Sequence, residues 1–330
     1  MRLLGVSMVR NEADVVEAFV RHNLTVIDAL VIVDHGSLDG TTEILAKLQA
    51  EGLPLRVVPD ADPAYRQSAI MTALARDALA QDGADFVFAL DADEFLKFRD
   101  RATLERALSE VPAGVHAVLH WLTYVPDAFD GDPGAFGPGH LWWRLKTERQ
   151  SLFKVVVGRG LLERPDDAVA MGNHCVQSPG ESSVRPHARL RQDVVAVAHC
   201  PVRSRSQLEG KIIVGYLAHL ATRPKDQRLV RHWRELYAEL RAGASFSEER
   251  LRQIACNYGL PTKMWQPPTT IELVEDPVSV AFDQRYRSDM VPDPRSLLMR
   301  FAESLIAAQQ QRSSMPAETA APRPAETGSA

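Results

Sequence analysis

The sequence predicts an α/β protein, with a mostly parallel sheet flanked by helices and a helical C-terminal region. Three observations predict it. Short apolar runs alternate with segments of helical periodicity from Leu3 to Leu90. Several of those runs are apolar without alternation, as strands covered on both faces are. Acidic residues then gather just after the predicted strands, most densely in Leu90-Asp91-Ala92-Asp93-Glu94-Phe95.

Leu3 to Val9 reads as the first strand, broken by Arg10-Asn11-Glu12. A helix follows from Glu12 to Val26, with Val15, Val16, Phe19, Val20 and Leu24 at helical spacing. Ala29 to Val33 is the second strand, ending at Asp34, and His35-Gly36-Ser37-Leu38-Asp39-Gly40-Thr41-Thr42 is a cluster of turn residues. The helix Thr42 to Ala50 turns Ile44, Leu45 and Leu48 inward and has Gly52 just past its end. Leu55 to Val58 is the third strand. Gln67 to Gln81 is a helix closed by Gly83, and Phe86 opens the fourth strand. The order β-α-β-α-β-α-β implies parallel strands joined by helical crossovers. Asp34, Asp39, Asp91 and Asp93 then share the carboxyl edge of the sheet, where open α/β sheets bind ligands.

Asp91 and Asp93 are two residues apart, so they share a face if the strand continues and converge if it turns. Two convergent carboxylates suit Mg²⁺ or Mn²⁺, ions that also hold substrate phosphates. The plainer reading is a strand followed by a helix cap, with Asp93 capping and Glu94 in the first turn.

Composition bounds the function. The 330 residues are 45% apolar and 25% charged, ordinary for a soluble globular protein. The net charge of −5 does not suggest a nucleic-acid partner. Cys175, Cys200 and Cys256 are odd in number and lack zinc-type spacing, so a reducing compartment is expected. No run approaches a membrane span, and Arg10-Asn11-Glu12 comes too soon for a signal-peptide core. A cytoplasmic protein is the expectation.

Beyond Gly114, strands are expected at Val115 to Trp121 and Ser151 to Val157, around a Gly-, Pro- and Asp-rich loop from Asp127 to Gly139. His140-Leu141-Trp142-Trp143-Arg144 sets two aromatics beside a base, which suits either core packing or stacking on a sugar. A strand ends at His199, and Ser206-Gln207-Leu208-Glu209 offers a capping box for a helix carrying Lys211. Val230, Trp233, Tyr237 and Leu240 mark another helix. Ser245-Phe246-Ser247-Glu248 offers a box for the next, and Asp293-Pro294 starts the last. From about Gln309 the composition predicts a disordered tail. The expected organisation is 1–125, a nucleotide-binding half; 126–225, a half that completes the metal and acceptor sites; 226–308, a helical extension; and 309–330, the tail.

Val6-Ser7-Met8-Val9-Arg10-Asn11-Glu12, Val33-Asp34-His35-Gly36-Ser37-Leu38-Asp39-Gly40-Thr41 and Leu90-Asp91-Ala92-Asp93-Glu94-Phe95 resemble, in order and spacing, the motifs of family 2-like glycosyltransferases of the GT-A fold. The likeness is closest to the subgroup whose third motif reads D-x-D-E-F. It implies a GT-A-like, Rossmann-related sheet and a metal-dependent transfer from a nucleoside diphosphate sugar, most plausibly a UDP-sugar, to a hydroxyl of a glycan, lipid or small-molecule acceptor. It also implies that Asp34 accepts hydrogen bonds from base or ribose, where a turn-forming aspartate is the plainer reading. Asp39 would hold the loop or the base, Asn11 and Glu12 would line the nucleotide pocket, and Asp91 would reach ribose or a metal-bound water. Asp93 would bind the ion that neutralises the diphosphate leaving group. The pattern His199-Cys200-Pro201-Val202-Arg203-Ser204 before a lysine-bearing helix is similar to that of the same subgroup. It implies His199 near the metal, with Arg203 and Lys211 near the diphosphate. An inverting transfer needs a general base. Glu94 adjoins the metal motif as support or base, and Glu163, Asp166 and Asp167 could reach an acceptor, with Asp166 taken as the candidate. A nucleotidyltransferase and a non-catalytic carbohydrate-binding protein of the same fold are the alternatives.

Overall fold

The computed structural model describes residues 1–129, 136–150, 152–178, 184–222, 231–279, 284–286 and 293–314. The strands β1 (Leu3–Val9), β2 (Ala29–Asp34), β3 (Leu55–Pro59) and β4 (Phe86–Ala89) lie parallel in the order β3-β2-β1-β4. The helices α1 (Val16–Asn23), α2 (Thr41–Ala50) and α3 (Gln67–Ala80) connect them.

Alternate residues explain why the strand runs are continuously apolar. Leu30 and Ile32 of β2 and Phe88 of β4 pack with Phe19 of α1 and Leu45 of α2. Their neighbours Val31, Val33 and Val87 pack in a second cluster with Met71, Leu74 and Leu79 of α3. Helices therefore cover both faces, and period-2 alternation disappears from the sequence.

After β4 the pattern changes. No helix follows the acidic residues. Instead Asp91–Asp93 make a turn into β5 (Glu94–Phe98), so the capping reading of Asp93 is set aside. The chain continues through α4 (Arg101–Ser109), β6 (His116–Val125), β7 (Trp143–Leu145), β8 (Phe153–Gly158) and the short α5 (Gly160–Glu163). It then passes β9 (Ala168–Val169), β10 (Val176–Gln177), β11 (His187–Arg189) and β12 (Val195–His199). β8 runs antiparallel between β4 and β6, and β12 joins β6 in parallel and β5 antiparallel. The first four strands form one continuous parallel portion, β11 and β12 add parallel pairings to β6, and one sheet of eleven strands among the described residues spans both of the expected halves. β12 brings His199 level with Glu94 and Thr123.

The C-terminal region is helical, with α6 (Arg205–Leu220), α7 (Arg231–Arg241), α8 (Glu248–Cys256), a short strand β13 (Leu273–Glu275) paired with β7, and α9 (Pro294–Ser314). Leu208, Ile212, Leu236, Leu251 and Ile254 form its core with Val125 of β6. Both capping serines lie two residues from their expected places. Ser204 caps α6 by accepting from the Gln207 N–H, and Ser247 caps α8 by accepting from Arg250. Glu209 instead accepts from the Ser245 hydroxyl and the Phe246 N–H, which ties α6 to the segment before α8. Asp293 starts α9 as expected, accepting from the Arg295 and Ser296 N–H groups. α9 runs to Ser314, past the start of the expected tail. Val230, the centre of the Asp127–Gly139 loop and the tail beyond 314 lie outside the described residues.

Candidate active site at the carboxyl edge of the sheet

The loop after β1 and the loop after β2 lock together. Asn11 has a left-handed backbone, φ 57°, unusual for a residue with a side chain. Its Oδ1 accepts from the Leu38 N–H at 2.7 Å, and the Ser37 hydroxyl accepts from the Asn11 N–H at 3.1 Å. Asp39 accepts from the Ala13 and Thr41 N–H groups, both at 3.0 Å, and from the Thr41 hydroxyl at 2.6 Å. Gly40, at φ 100°, permits that tight return. Burial raises the Asp39 carboxyl, against those donors. Asp34 accepts from the Ser37 N–H at 3.0 Å and from the Thr42 hydroxyl. Both aspartates thus organise the turn, and Asn11 does the same.

Glu12 points the other way, into a buried ionic cluster. Arg203, 2% exposed, donates from Nε to Asp14 Oδ2 at 2.5 Å and from Nη2 to Asp14 Oδ1 at 2.9 Å and Glu12 Oε2 at 2.5 Å. Burial alone would lower the Arg203 pKa, but Asp14 and Glu12 hold it well above the usual value. The sequence reading aimed Arg203 at a diphosphate. Its guanidinium is instead spent on Asp14 and Glu12 and lies 3.8 Å from Asp93. Asp14 went unread, although Glu12-Ala13-Asp14 has the same two-residue spacing as Asp91 and Asp93.

Asp93 is the centre. Its Oδ2 accepts from Lys211 Nζ at 2.6 Å, and its Oδ1 lies 3.6 Å from His199 Nε2. Lys211 also lies 3.6 Å from Glu12. Burial would raise the Asp93 carboxyl, but Lys211, His199 and Arg203 outweigh it and hold it well below the carboxylate range. Burial dominates at His199 and pushes its pKa down to about 3, so the ring is neutral. Trp121 meets the His199 ring edge-on at 4.3 Å, and Tyr258 lies 5.5 Å away. His199 Nδ1 and Trp121 Nε1 are buried with no hydrogen-bond partner among the described residues.

Asp91 and Glu94 belong to the other side of the turn. Lys154, a lone cation in an apolar strand, lies 2.5 Å from Asp91 Oδ2 and 2.7 Å from Glu94 Oε1. Glu94 is fully buried, and its Oε2 accepts from the Asp91 N–H at 2.9 Å. Burial raises its carboxyl to about 8; Lys154 opposes the shift, and the neighbouring carboxylates Asp91 and Asp93 add to it. Glu94 therefore supports the turn and cannot touch an acceptor.

Asp166 is not brought to this cluster. It is exposed, in the turn whose neighbouring carbonyls Arg164, Pro165 and Asp167 accept from Arg76. Gln67, at the first turn of α3, donates to Asp91. Arg76 is nine residues further along that helix, a distance of about 13 Å at the α-helical rise. As a base acting beside Asp93, Asp166 is thus displaced, while its neighbour Asp167 is buried and paired with Arg185 at 2.7 Å. Trp142 is 38% exposed and Trp143 sits in β7 beside Val125; the rings of Trp121 and Tyr258 are the ones that meet His199 among the described residues.

Among the described residues, no three His, Cys, Asp or Glu side chains converge as a ready metal cage. Asp93 and His199 are an oxygen–nitrogen pair, with the His199 ring neutral and one ring nitrogen unpartnered, and the surrounding cluster is net acidic. That donor set fits a divalent cation that takes its remaining ligands from water and a diphosphate. Among the described residues, no helix is long and apolar enough to cross a membrane.

No known protein family's model matches the chain, and no curated protein matches it. Among solved structures, it is similar to S. aureus TarS 1–349, at 14% identity and a TM-score of 0.33, over 78% of this chain and 70% of that one. A mannosyltransferase from Pyrobaculum calidifontis in complex with GDP-Man and Mn²⁺ is similar at 14% identity and a TM-score of 0.39, over 94% and 87%. Glucosyl-3-phosphoglycerate synthase from Mycobacterium tuberculosis, in complex with phosphoglyceric acid, is similar at 23% identity and a TM-score of 0.24, over 36% and 43%. The residues of the site carry the functional reading.

Proposed function

We propose that the protein is a glycosyltransferase that moves a sugar from a nucleoside diphosphate sugar, with UDP the favoured nucleotide, to an acceptor hydroxyl. The observation that supports this most is the convergence of Asp93, His199 and Lys211 at the carboxyl edge of the parallel strands. Asp93 and His199 would hold Mn²⁺ or Mg²⁺. When bound, the ion supplies charge neutralisation for the departing diphosphate.

The chain's own residues do the rest. Lys211 is 21% exposed at its side chain, and its flexible stem lets the ammonium leave Asp93 for an incoming phosphate. Arg203 keeps Glu12 and Asp14 paired, so the loop after β1 holds its shape. Asp91 keeps 28% of its side chain exposed and accepts from donor hydroxyls. The loop held by Asn11, Asp34 and Asp39 shapes the floor for the base and ribose. Neither Asp166 nor Glu94 is assigned a proton transfer. Incubation with UDP-, GDP- and dTDP-sugars in Mn²⁺, reading nucleoside diphosphate release, tests the proposal. Release from at least one donor, lost in Asp93→Asn, is expected. Neither binding nor turnover of any of the three would sink it.

A further inference from the structure

Lys154 is 1% exposed, at the second position of the apolar strand β8. Burying an ammonium is costly unless it is paired and hydrogen-bonded. Here it donates hydrogen bonds to Asp91 Oδ2 at 2.5 Å and the Gly172 carbonyl at 2.9 Å, and it lies 2.7 Å from Glu94 Oε1 in an ion pair. The other oxygen of Asp91 accepts from Gln67 Nε2 at 2.9 Å and Asn173 Nδ2 at 3.0 Å. Gln67 Oε1 in turn accepts from the Gly172 N–H at 2.8 Å, which closes a ring of hydrogen bonds around Asp91. Gly172 and Asn173 are both left-handed, at φ 79° and 60°, and that pair of conformations aims the carbonyl and the amide at Lys154 and Asp91.

Asp93 is itself only 2% exposed, so the contrast lies in the two cations. Its cation, Lys211, is partly exposed and can swing away, whereas Lys154 is walled in. We propose that Lys154 is a positioning residue that divides the acidic turn: as a resident cation it keeps Asp91 and Glu94 out of any divalent ion's coordination, and leaves Asp93, with His199, as the metal ligand. This replaces the expectation that Asp91 and Asp93 bind the ion together. It rests on the metal-dependent reading above.

Titration of the 330-residue chain with Mn²⁺ alone, followed by the EPR signal of the free ion, tests it. Asp93→Asn weakens Mn²⁺ binding at least about 30-fold, while Asp91→Asn stays within about threefold of wild type. Lys154→Met frees Asp91 and removes a nearby positive charge, so it tightens Mn²⁺ about threefold or more, a gain that mere loss of structure would not give. If Lys154→Met does not fold, Asp91→Asn decides alone. Loss of Mn²⁺ binding in Asp91→Asn equal to that in Asp93→Asn overturns the inference. A folded wild type that binds no Mn²⁺ overturns the metal reading itself, and the inference falls with it.

Discussion

Replacing Arg203 by Met tests the buried latch between the loop after β1 and the start of α6. Methionine keeps an apolar stem of similar reach and removes the guanidinium. Asp14 then loses both hydrogen bonds from the guanidinium, and among the described residues the Glu12 carboxylate keeps Lys211 at 3.6 Å. Both carboxylates belong to residues only 7% exposed, so water does not take over. Removing one member of a buried ion pair costs about 3–5 kcal/mol, because the other charge stays behind. The assay is urea unfolding of wild type, Arg203→Met, Asp14→Leu and the double variant. The single Arg203 change should lower stability by about 3–5 kcal/mol, and the double variant should recover at least about 1 kcal/mol relative to the sum of the two singles. A loss below about 1 kcal/mol for Arg203→Met, the range of exposed pairs, would refute the claim that this cluster is closed to water.

Three further outcomes follow from the same geometry. His116 is 1% exposed, and its Nδ1 accepts from the Gly158 N–H at 3.2 Å, so it must stay unprotonated; burial lowers its pKa from 6.5 to about 4. Between those values the unfolded chain binds the extra proton, so stability holds above pH 6.5 and falls as the pH drops toward 4, by up to about 3 kcal/mol. Urea midpoints across that window should show a smaller fall in His116→Gln. Gly172→Ala places a Cβ 2.6 Å from His174 Nε2 in a left-handed backbone, and a thermal melt should show a loss of about 1–3 kcal/mol. Asp39→Ala removes the acceptor of two buried N–H groups and a hydroxyl; it should cost about 2–4 kcal/mol by chemical unfolding and weaken donor binding, whereas Asp39→Asn should cost less.

The first ninety residues were readable because their information is local. Continuous apolar runs mark doubly covered strands, and Gly52 and Gly83 lie just past helix ends in the expected places. The motif positions Asp34, Asp39, Asp91, Asp93 and His199 reach one edge as the topology requires. What stayed hidden depends on distant partners. Asp14 and Glu12 meet Arg203 across 189 and 191 residues, and Lys154 meets Asp91 across 63. A lysine in an apolar strand signals that some carboxylate faces it, without saying which. The capping serines illustrate degeneracy: Ser204 and Ser206 each begin a Ser-x-x-Gln or Ser-x-x-Glu pattern, and only packing decides that Glu209 tethers Ser245 and Phe246 instead. Asp166 and Asp167 show the same difficulty. Adjacent in sequence, they part at a turn, one exposed and one buried on Arg185.

Calorimetric titration of UDP, GDP and dTDP into the wild-type protein and Asp93→Asn, each with and without Mn²⁺, bears most directly on the proposed site. One nucleoside diphosphate should bind wild type in a 1:1 complex, and its affinity should fall at least about tenfold when Mn²⁺ is withheld or Asp93 is changed. Folded wild-type protein that binds none of the three, or that binds one equally well in Asp93→Asn, would contradict the account.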